Sequence, residues 1–328
     1  MNKDIIAGID IGGTKIAVAL ADLDGQTLSF SRFPTRVELG PHSIIDNAIK
    51  EIERMIEETG SQPSAVGIGC GGPLNRERGV ILSPPNLPGW DEFPVVEIIK
   101  SRLRVPALLD NDANAAALGE LRHGAGRGFS NIVYITISTG IGGGIIINGE
   151  VVYGVGDGAG EVGHIPVLWD GPVCGCGSRG CLEALCSGTS IARRARQRLL
   201  AGEQSSLILN KPDEITAKLV ADAARGGDPL AHAVWEETIH YLAFGLSSII
   251  ATLAPEAIIL GGGVSTAGEQ LLAPLRQRVY ERVRILPIER VQILQAALGG
   301  DSGIYGALIL AGRALALRNT SGAENPKP

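Results

Sequence analysis

Cys174, Cys176 and Cys181 stand in a C-x-C-x4-C run, with His164 upstream. Three thiolates and one imidazole are the donor set that suits a tetrahedral zinc ion. Gly175, Gly177 and Gly180 fill the gaps between them, as expected where a short run must fold back on one ion. Three such close cysteines in a chain that holds only five are hard to assign to packing. A disulfide is disfavoured, because no secretory segment accompanies them. Four protein ligands leave the ion no open position, so this zinc is expected to be structural. Glu161 and Glu183 flank the ligands. Carboxylates fixed at such places accept hydrogen bonds from hydroxyls, which is how a polyol such as a sugar is held.

A second kind of chemistry is carried by glycine. Asp10, Gly12, Gly13, Thr14 and Lys15 lie between two apolar runs, and Thr139, Gly140, Gly142 and Gly143 lie between two more. In both places a strand follows the glycines. That excludes the P-loop and the dinucleotide fingerprint, both of which open a helix. Two hairpin turns with exposed N–H groups suit two clamps on one polyphosphate and suggest a weak internal duplication. Gly261, Gly262 and Gly263 follow the apolar run AIIL and give a turn on which a flat ring such as adenine could lie. Asn111 and Asp112 end the strand-like VPALLDND and open the helix-like ANAAALGEL. Such a strand-to-helix junction is a usual ligand site in an α/β sheet, although Asp112 as a simple helix cap reads equally well. Asn86, in a Gly- and Pro-rich loop over 72–90, offers one donor and one acceptor.

The elements that must position these groups read as α/β. Strands are expected at 4–10, after IGGTK, at 65–72, at VPALLDND, on both sides of STGIGGG, and at 257–264. A helix is expected over 43–58, with Gly60 as its stop, and another from Pro94; residues 187–253 read as mostly helical. The 328 residues allow about two domains. A net charge of −6 without a long basic run argues against nonspecific nucleic-acid binding. No segment approaches the roughly 20 apolar residues of a membrane span, and the N-terminal run is broken by Asp4 and Asp10, so the protein reads as cytoplasmic.

DIGGTK at 10–15, NDANAAA at 111–117, STGIGGG at 138–144, EVGH at 161–164, CGCGSRGCLE at 174–183 and GGGV at 261–264 together resemble the ROK family of sugar kinases and sugar-sensing repressors. Within it the chain looks most like the bacterial ATP-dependent glucokinases. The resemblance implies an actin-like, ribonuclease H-like α/β fold of two domains with a central cleft. The first domain would span 1–112 and be rejoined by about 300–318, the larger would span 113–299, and 319–328 would be a flexible tail. It implies ATP-dependent phosphorylation of a hexose, glucose first, with N-acetylmannosamine or N-acetylglucosamine as alternative acceptors and a non-catalytic sugar sensor as the alternative class. Asp112 would be the general base. Gly72, Asn86, Asn111, Glu161, His164 and Glu183 would join it in holding the sugar. Asp10 would hold Mg²⁺, directly or through water, and the glycine turns would hold ATP. His164 would serve both zinc and sugar. The family suggests a homodimer or homotetramer. Ser138 stands where relatives commonly have Gly. Nine residues precede Asp10, too few for the helix-turn-helix domain of the repressors.

Overall fold

The computed structural model describes residues 4–209 and 211–323. The chain opens with β1 (Ile5–Ile11), β2 (Lys15–Asp22), β3 (Thr27–Pro34), α1 (Gly40–Thr59), β4 (Pro63–Cys70), β5 (Leu74–Asn75), β6 (Val80–Ile81), α2 (Val95–Leu103), β7 (Ala107–Asn111) and α3 (Asp112–His123). It continues with β8 (Ile132–Ile137), β9 (Ile141–Ile147), β10 (Glu150–Val151), α4 (Leu182–Cys186), α5 (Gly188–Leu200), α6 (Ala217–Arg225) and α7 (Pro229–Leu253). The last elements are β11 (Ala257–Gly261), α8 (Glu269–Arg282), β12 (Gln292–Gln295) and α9 (Ser302–Ala323). Two compact units result. Among the described residues, one holds 4–127, 151–159 and 300–323, and the other holds those within 128–150 and 160–299.

The sheet of the first unit has the order β3-β2-β1-β4-β7. β1 and β2 are an antiparallel hairpin, whereas β4 and β7 run parallel to β1. Both faces are covered, which is why its strands read as nearly unbroken apolar runs. Ile9, Ile11, Val18, Leu20 and Ile68 pack with α1 and α2 on one face. Ile6, Ala17, Ala19, Ala21 and Ala65 meet α9 on the other, where small side chains let the helix lie close. A Cβ at Gly67 would stand 1.8 Å from the Ala307 carbonyl oxygen. α3 and α9 pack equally tightly, since a Cβ at Gly306 would stand 1.7 Å from the Ala115 carbonyl oxygen. The buried Glu120 carboxylate ties them, accepting from Ser302 Oγ at 2.7 Å and from Ala125 N at 2.8 Å.

The sheet of the second unit has the order β10-β9-β8-β11-β12. Again an antiparallel hairpin, β8-β9, is followed by two strands parallel to its first member. The repeated topology is the internal duplication that the two glycine turns suggested. Its core is formed by β8, β11 and the apolar faces of α5 to α8, with Trp235, Ile239, Leu242 and Leu246 of α7 at the centre.

Several expectations are corrected by packing. α3 was placed in the second domain by a boundary at 112, but its contacts with α9 make it part of the first unit, which runs on to Arg127. The loop at 72–90 contributes to the core as well as to the surface: it contains the β5-β6 hairpin, buries Leu87, and buries Trp90 edge-on against Phe93 at 5.0 Å. Pro94 is the N-cap of α2 rather than its first residue, and α1 begins at Gly40, ahead of Ser43. Helix α9 runs on through Ala323, into the expected tail, whose residues 324–328 lie outside the described residues.

Gly67→Ala should lower the unfolding free energy by roughly 1–3 kcal/mol, as overpacked cores do, because the new methyl meets helix backbone that cannot step aside. Urea denaturation of the purified protein checks this.

Candidate functional site

In the first unit the strand ends bring two carboxylates together. β1, β4 and β7 run parallel in adjacent register, Asp10 opposite Gly69 and Cys70 opposite Asn111. Asp10 therefore sits at the end of β1, and Asp112 opens α3 just past the end of β7. A Cβ at Gly69 would touch both, 3.7 Å from Asp10 Oδ1 and 3.9 Å from Asp112 Cα. Burial first, and then the negative charge of Asp112, push the Asp10 carboxyl up to about 7, against the pull of Lys15 and Arg32. A cation bound here would offset that repulsion, so the residues fit a Mg²⁺ site.

Asn111, not Asp112, caps α3. Its Oδ1 accepts from Ala113 N at 2.9 Å and from Asn114 N at 3.4 Å. Asp112 Oδ1 also accepts from Ala113 N, at 2.8 Å, while Oδ2 lies 3.7 Å from where a Cβ of Gly71 would stand. The Gly71-Gly72 bend thus runs along Asp112 and Asn111, with Asn111 Nδ2 3.4 Å from the Cβ position of Gly72. Beneath them Asp110 is buried, which raises its pKa, and accepts from Asn111 N, Asn114 Nδ2 and Tyr153 Oη at 2.7, 3.0 and 2.8 Å. Arg76 stacks over the Tyr153 ring at 3.7 Å and pairs with Asp157 at 3.6 Å. The Tyr153 and Arg76 contacts had no sequence signal, because they join segments far apart in the chain.

Gly12, Gly13 and Thr14 form the β1-β2 turn, closed by Gly12 N donating to Lys15 O at 3.0 Å. Asn86 lies on this turn: a Cβ at Gly13 would stand 2.8 Å from its Cβ. Lys15 Nζ lies 3.7 Å from the Cβ position of Gly300, in the turn just before α9.

In the second unit His164, Cys174, Cys176 and Cys181 offer ligand atoms that all lie within 4.8 Å of one another. Two thiolates on a tetrahedral zinc, each bound at about 2.3 Å, stand about 3.8 Å apart, and Cys176 Sγ and Cys181 Sγ are 3.8 Å apart. Cys174 Sγ and His164 Nδ1 are 3.6 Å apart. Burial pushes the Cys181 thiol up to about 12, a cost that a bound dication would offset. The donor set and spacing fit structural zinc. His164 turns its other nitrogen, Nε2, toward Glu161 Oε2 at 3.7 Å, and the Glu161 side chain is 65% exposed. The ring nitrogen that does not face the cysteines thus lies beside the Glu161 carboxylate. Glu183 differs: its Oε2 accepts from Ile141 N at 2.8 Å, and its Oε1 lies 3.7 Å from Cys174 Sγ.

The β8-β9 turn is Ser138, Thr139 and Gly140, closed by Ser138 N donating to Gly140 O at 2.9 Å. Gly142 and Gly143 are not part of it; they pair with Thr136 and Ile135 inside the sheet. Glycine at 143 is required by packing, since a Cβ there would meet Val162 at 2.6 Å. At the third glycine run, a Cβ at Gly261 would strike Tyr134 Oη at 2.1 Å, and Gly262 has a φ of 82°. A Cβ at Gly263 would meet nothing within 4 Å, and this residue borders a cavity of about 240 Å³ lined by Ala217, Ala221, Trp235 and Val264 and by the charged Lys218, Asp222 and Arg225.

A model of the ROK family matches residues 6–314. The chain belongs to the ROK family. It is 37% identical over 310 residues to a glucokinase of Thermotoga maritima, covering 94% of this chain and 97% of that one. It is 38% identical over 313 residues to a glucokinase of Streptomyces coelicolor, covering 93% and 96%. The structure of a ROK family glucokinase from Streptomyces griseus in complex with glucose and AMPPNP superposes with a TM-score of 0.79 at 38% identity, covering 94% of this chain and 99% of that one. The ROK membership and the actin-like α/β fold expected from the motifs are borne out. Among the described residues no helix is long and apolar enough to cross a membrane.

Metal analysis of the purified protein should find about one zinc per chain, and Cys176→Ser should lower that content. Cys176 is exposed, so the substitution disturbs no core. Retention of zinc without any of the three cysteines would contradict the assignment.

Proposed function

We propose that this ROK sugar kinase transfers the γ-phosphoryl group of ATP to the 6-hydroxyl of glucose, with Asp112 as general base. The observation that carries the reading is the constellation at the ends of β1 and β7: a general base candidate and a metal-holding candidate, side by side, under a glycine turn. The glucokinase relatives, matched over nearly their whole length, support glucose as the acceptor.

Phosphoryl transfer asks a protein for position and charge stabilisation more than for covalent chemistry. Asp112 Oδ1 accepts from the Ala113 N–H, which orients the carboxylate to take the hydroxyl proton as the sugar oxygen bonds to phosphorus and ADP leaves with the electrons of the broken P–O bond. The amide of Asn111 and the bend at Gly72 fix the approach of the sugar ring. Glu161, His164 and Glu183 accept from, or donate to, its remaining hydroxyls. The turns at Gly12-Gly13-Thr14 and Thr139-Gly140 present N–H groups to the phosphates, with Lys15 as a positive charge beside the first. Asp10 is the residue to hold Mg²⁺; the ion, when bound, supplies charge neutralisation on the phosphates. Gly263 and the cavity beside it suit the adenine, whose flat face needs backbone without a side chain. His164 and the three cysteines would hold a structural zinc that stiffens the segment bearing Glu161 and Glu183. We place the enzyme in the cytoplasm as a homodimer or homotetramer.

A coupled ATP-consumption assay with Mg²⁺ over glucose, mannose, fructose, N-acetylglucosamine and N-acetylmannosamine tests this. Glucose should give the highest kcat/KM, and preference for an N-acetyl sugar would reassign the acceptor. Asp112→Asn should cut kcat by about a hundredfold or more, the usual worth of a positioned base, with KM for glucose little changed. Full activity in that variant would remove Asp112 from the chemistry.

A further inference from the structure

The turn joining β8 and β9 is held from one side by a single segment, residues 183–189. Ile141 N donates to Glu183 Oε2 at 2.8 Å, Gly188 N donates to Ser138 O at 2.7 Å, and Thr189 Oγ1 donates to Thr139 O at 2.6 Å. Every residue of the turn is touched. A Cβ at Gly140 would stand 2.5 Å from Glu183 Oε2, and one at Gly188 would stand 2.8 Å from Ser138 O. Glycine at both places is therefore a requirement of this close approach.

The segment is itself well anchored. It grows out of the cysteine cluster, since Cys181 is the N-cap residue of α4 and Glu183 lies in the first turn of that helix. Ser187 caps α5 by accepting from Ser190 N at 3.2 Å, and Ser190 Oγ returns a hydrogen bond to Glu183 O at 2.9 Å. The second carboxylate oxygen of Glu183 faces Cys174 Sγ. One side chain thus spans the cluster and the turn.

We propose that Glu183 and Thr189 are positioning residues for the nucleotide, holding the Ser138–Ile141 turn in its phosphate-binding form and linking it to the cysteine-histidine cluster. This rests on the reading of that turn as a phosphate clamp. The Ile141 N–H is committed to Glu183, so phosphate oxygens meet the turn at Thr139 and Gly140. Affinity for nucleotide then depends on two side chains that need not touch it. A Glu183 that served only the sugar would leave nucleotide binding in the absence of sugar unchanged.

The test is isothermal titration of the sugar-free protein with Mg-AMPPNP, for wild type, Thr189→Val, Thr189→Ser, Glu183→Ala and Glu183→Gln. Thr189 is exposed, so its substitution threatens no core, and thermal melting with zinc content verifies the fold of each variant. Thr189→Val and Glu183→Ala should each raise Kd about five- to tenfold, the loss of one hydrogen bond. Thr189→Ser and Glu183→Gln, which keep the donor and the acceptor, should restore it. In Thr189→Val the KM for ATP should rise while the KM for glucose at saturating ATP stays put. Wild-type Kd in both deletions, with wild type binding normally, overturns the positioning role alone. Failure of wild type to bind AMPPNP overturns the phosphate reading and this proposal with it.

Discussion

The burial of the Asp10 carboxyl beside Asp112 is the constraint on which the candidate site of the first unit depends. Both side chains arise where the parallel strands β1, β4 and β7 end together. A Cβ at Gly303 of α9 would stand 2.7 Å from Asp10 Oδ2, so the helix presses on the carboxylate with backbone alone. Burial first, and then the charge of Asp112, disfavour the ionised form, and the Asp10 carboxyl is pushed up to about 7. Sites of chemistry are where such costs persist. A cation and a phosphate group nearby would turn the same arrangement from a burden into a binding site.

The two units repeat one architectural device. Each sheet opens with an antiparallel hairpin whose tight turn ends beside the C-terminal edge of the parallel strands. The first turn lies under Asn86, the second under Glu183 and Thr189. In both, glycine is present because another part of the chain comes too near for a side chain. Packing against these segments by itself requires glycine at Gly13 and Gly140.

What was legible in the sequence was what depends on neighbours in the chain. The turns at Gly12-Gly13 and Gly140, the strand-to-helix junction at Asn111-Asp112 and the clustering of His164 with three cysteines all follow from local spacing, and the six ordered motifs carried the family. What escaped was set by contacts between distant segments. Nothing near Trp90 says that a Gly- and Pro-rich loop will fill a core, and nothing near α3 says that its small residues answer those of α9. Gly142 and Gly143 read as turn because their spacing matches Gly140, whereas pairing with β8 draws them into the sheet. The cap at Asn111 was missed because Asn and Asp are equally good caps, and only the backbone decides between adjacent candidates.

Titration of the Asp10 carboxyl carbon by ¹³C NMR, in wild type and in Asp112→Asn without metal or nucleotide, tests the carboxylate pair most directly. Asp10 should titrate near pH 7 in wild type and lower in Asp112→Asn, where the neighbouring charge is gone. Its charged form is then disfavoured by folding, so its contribution to stability is full below the unfolded carboxyl value near pH 4 and is lost as pH rises through about 7. An Asp10 that titrates with the ordinary carboxylates, and does not respond to Asp112→Asn, would contradict the account.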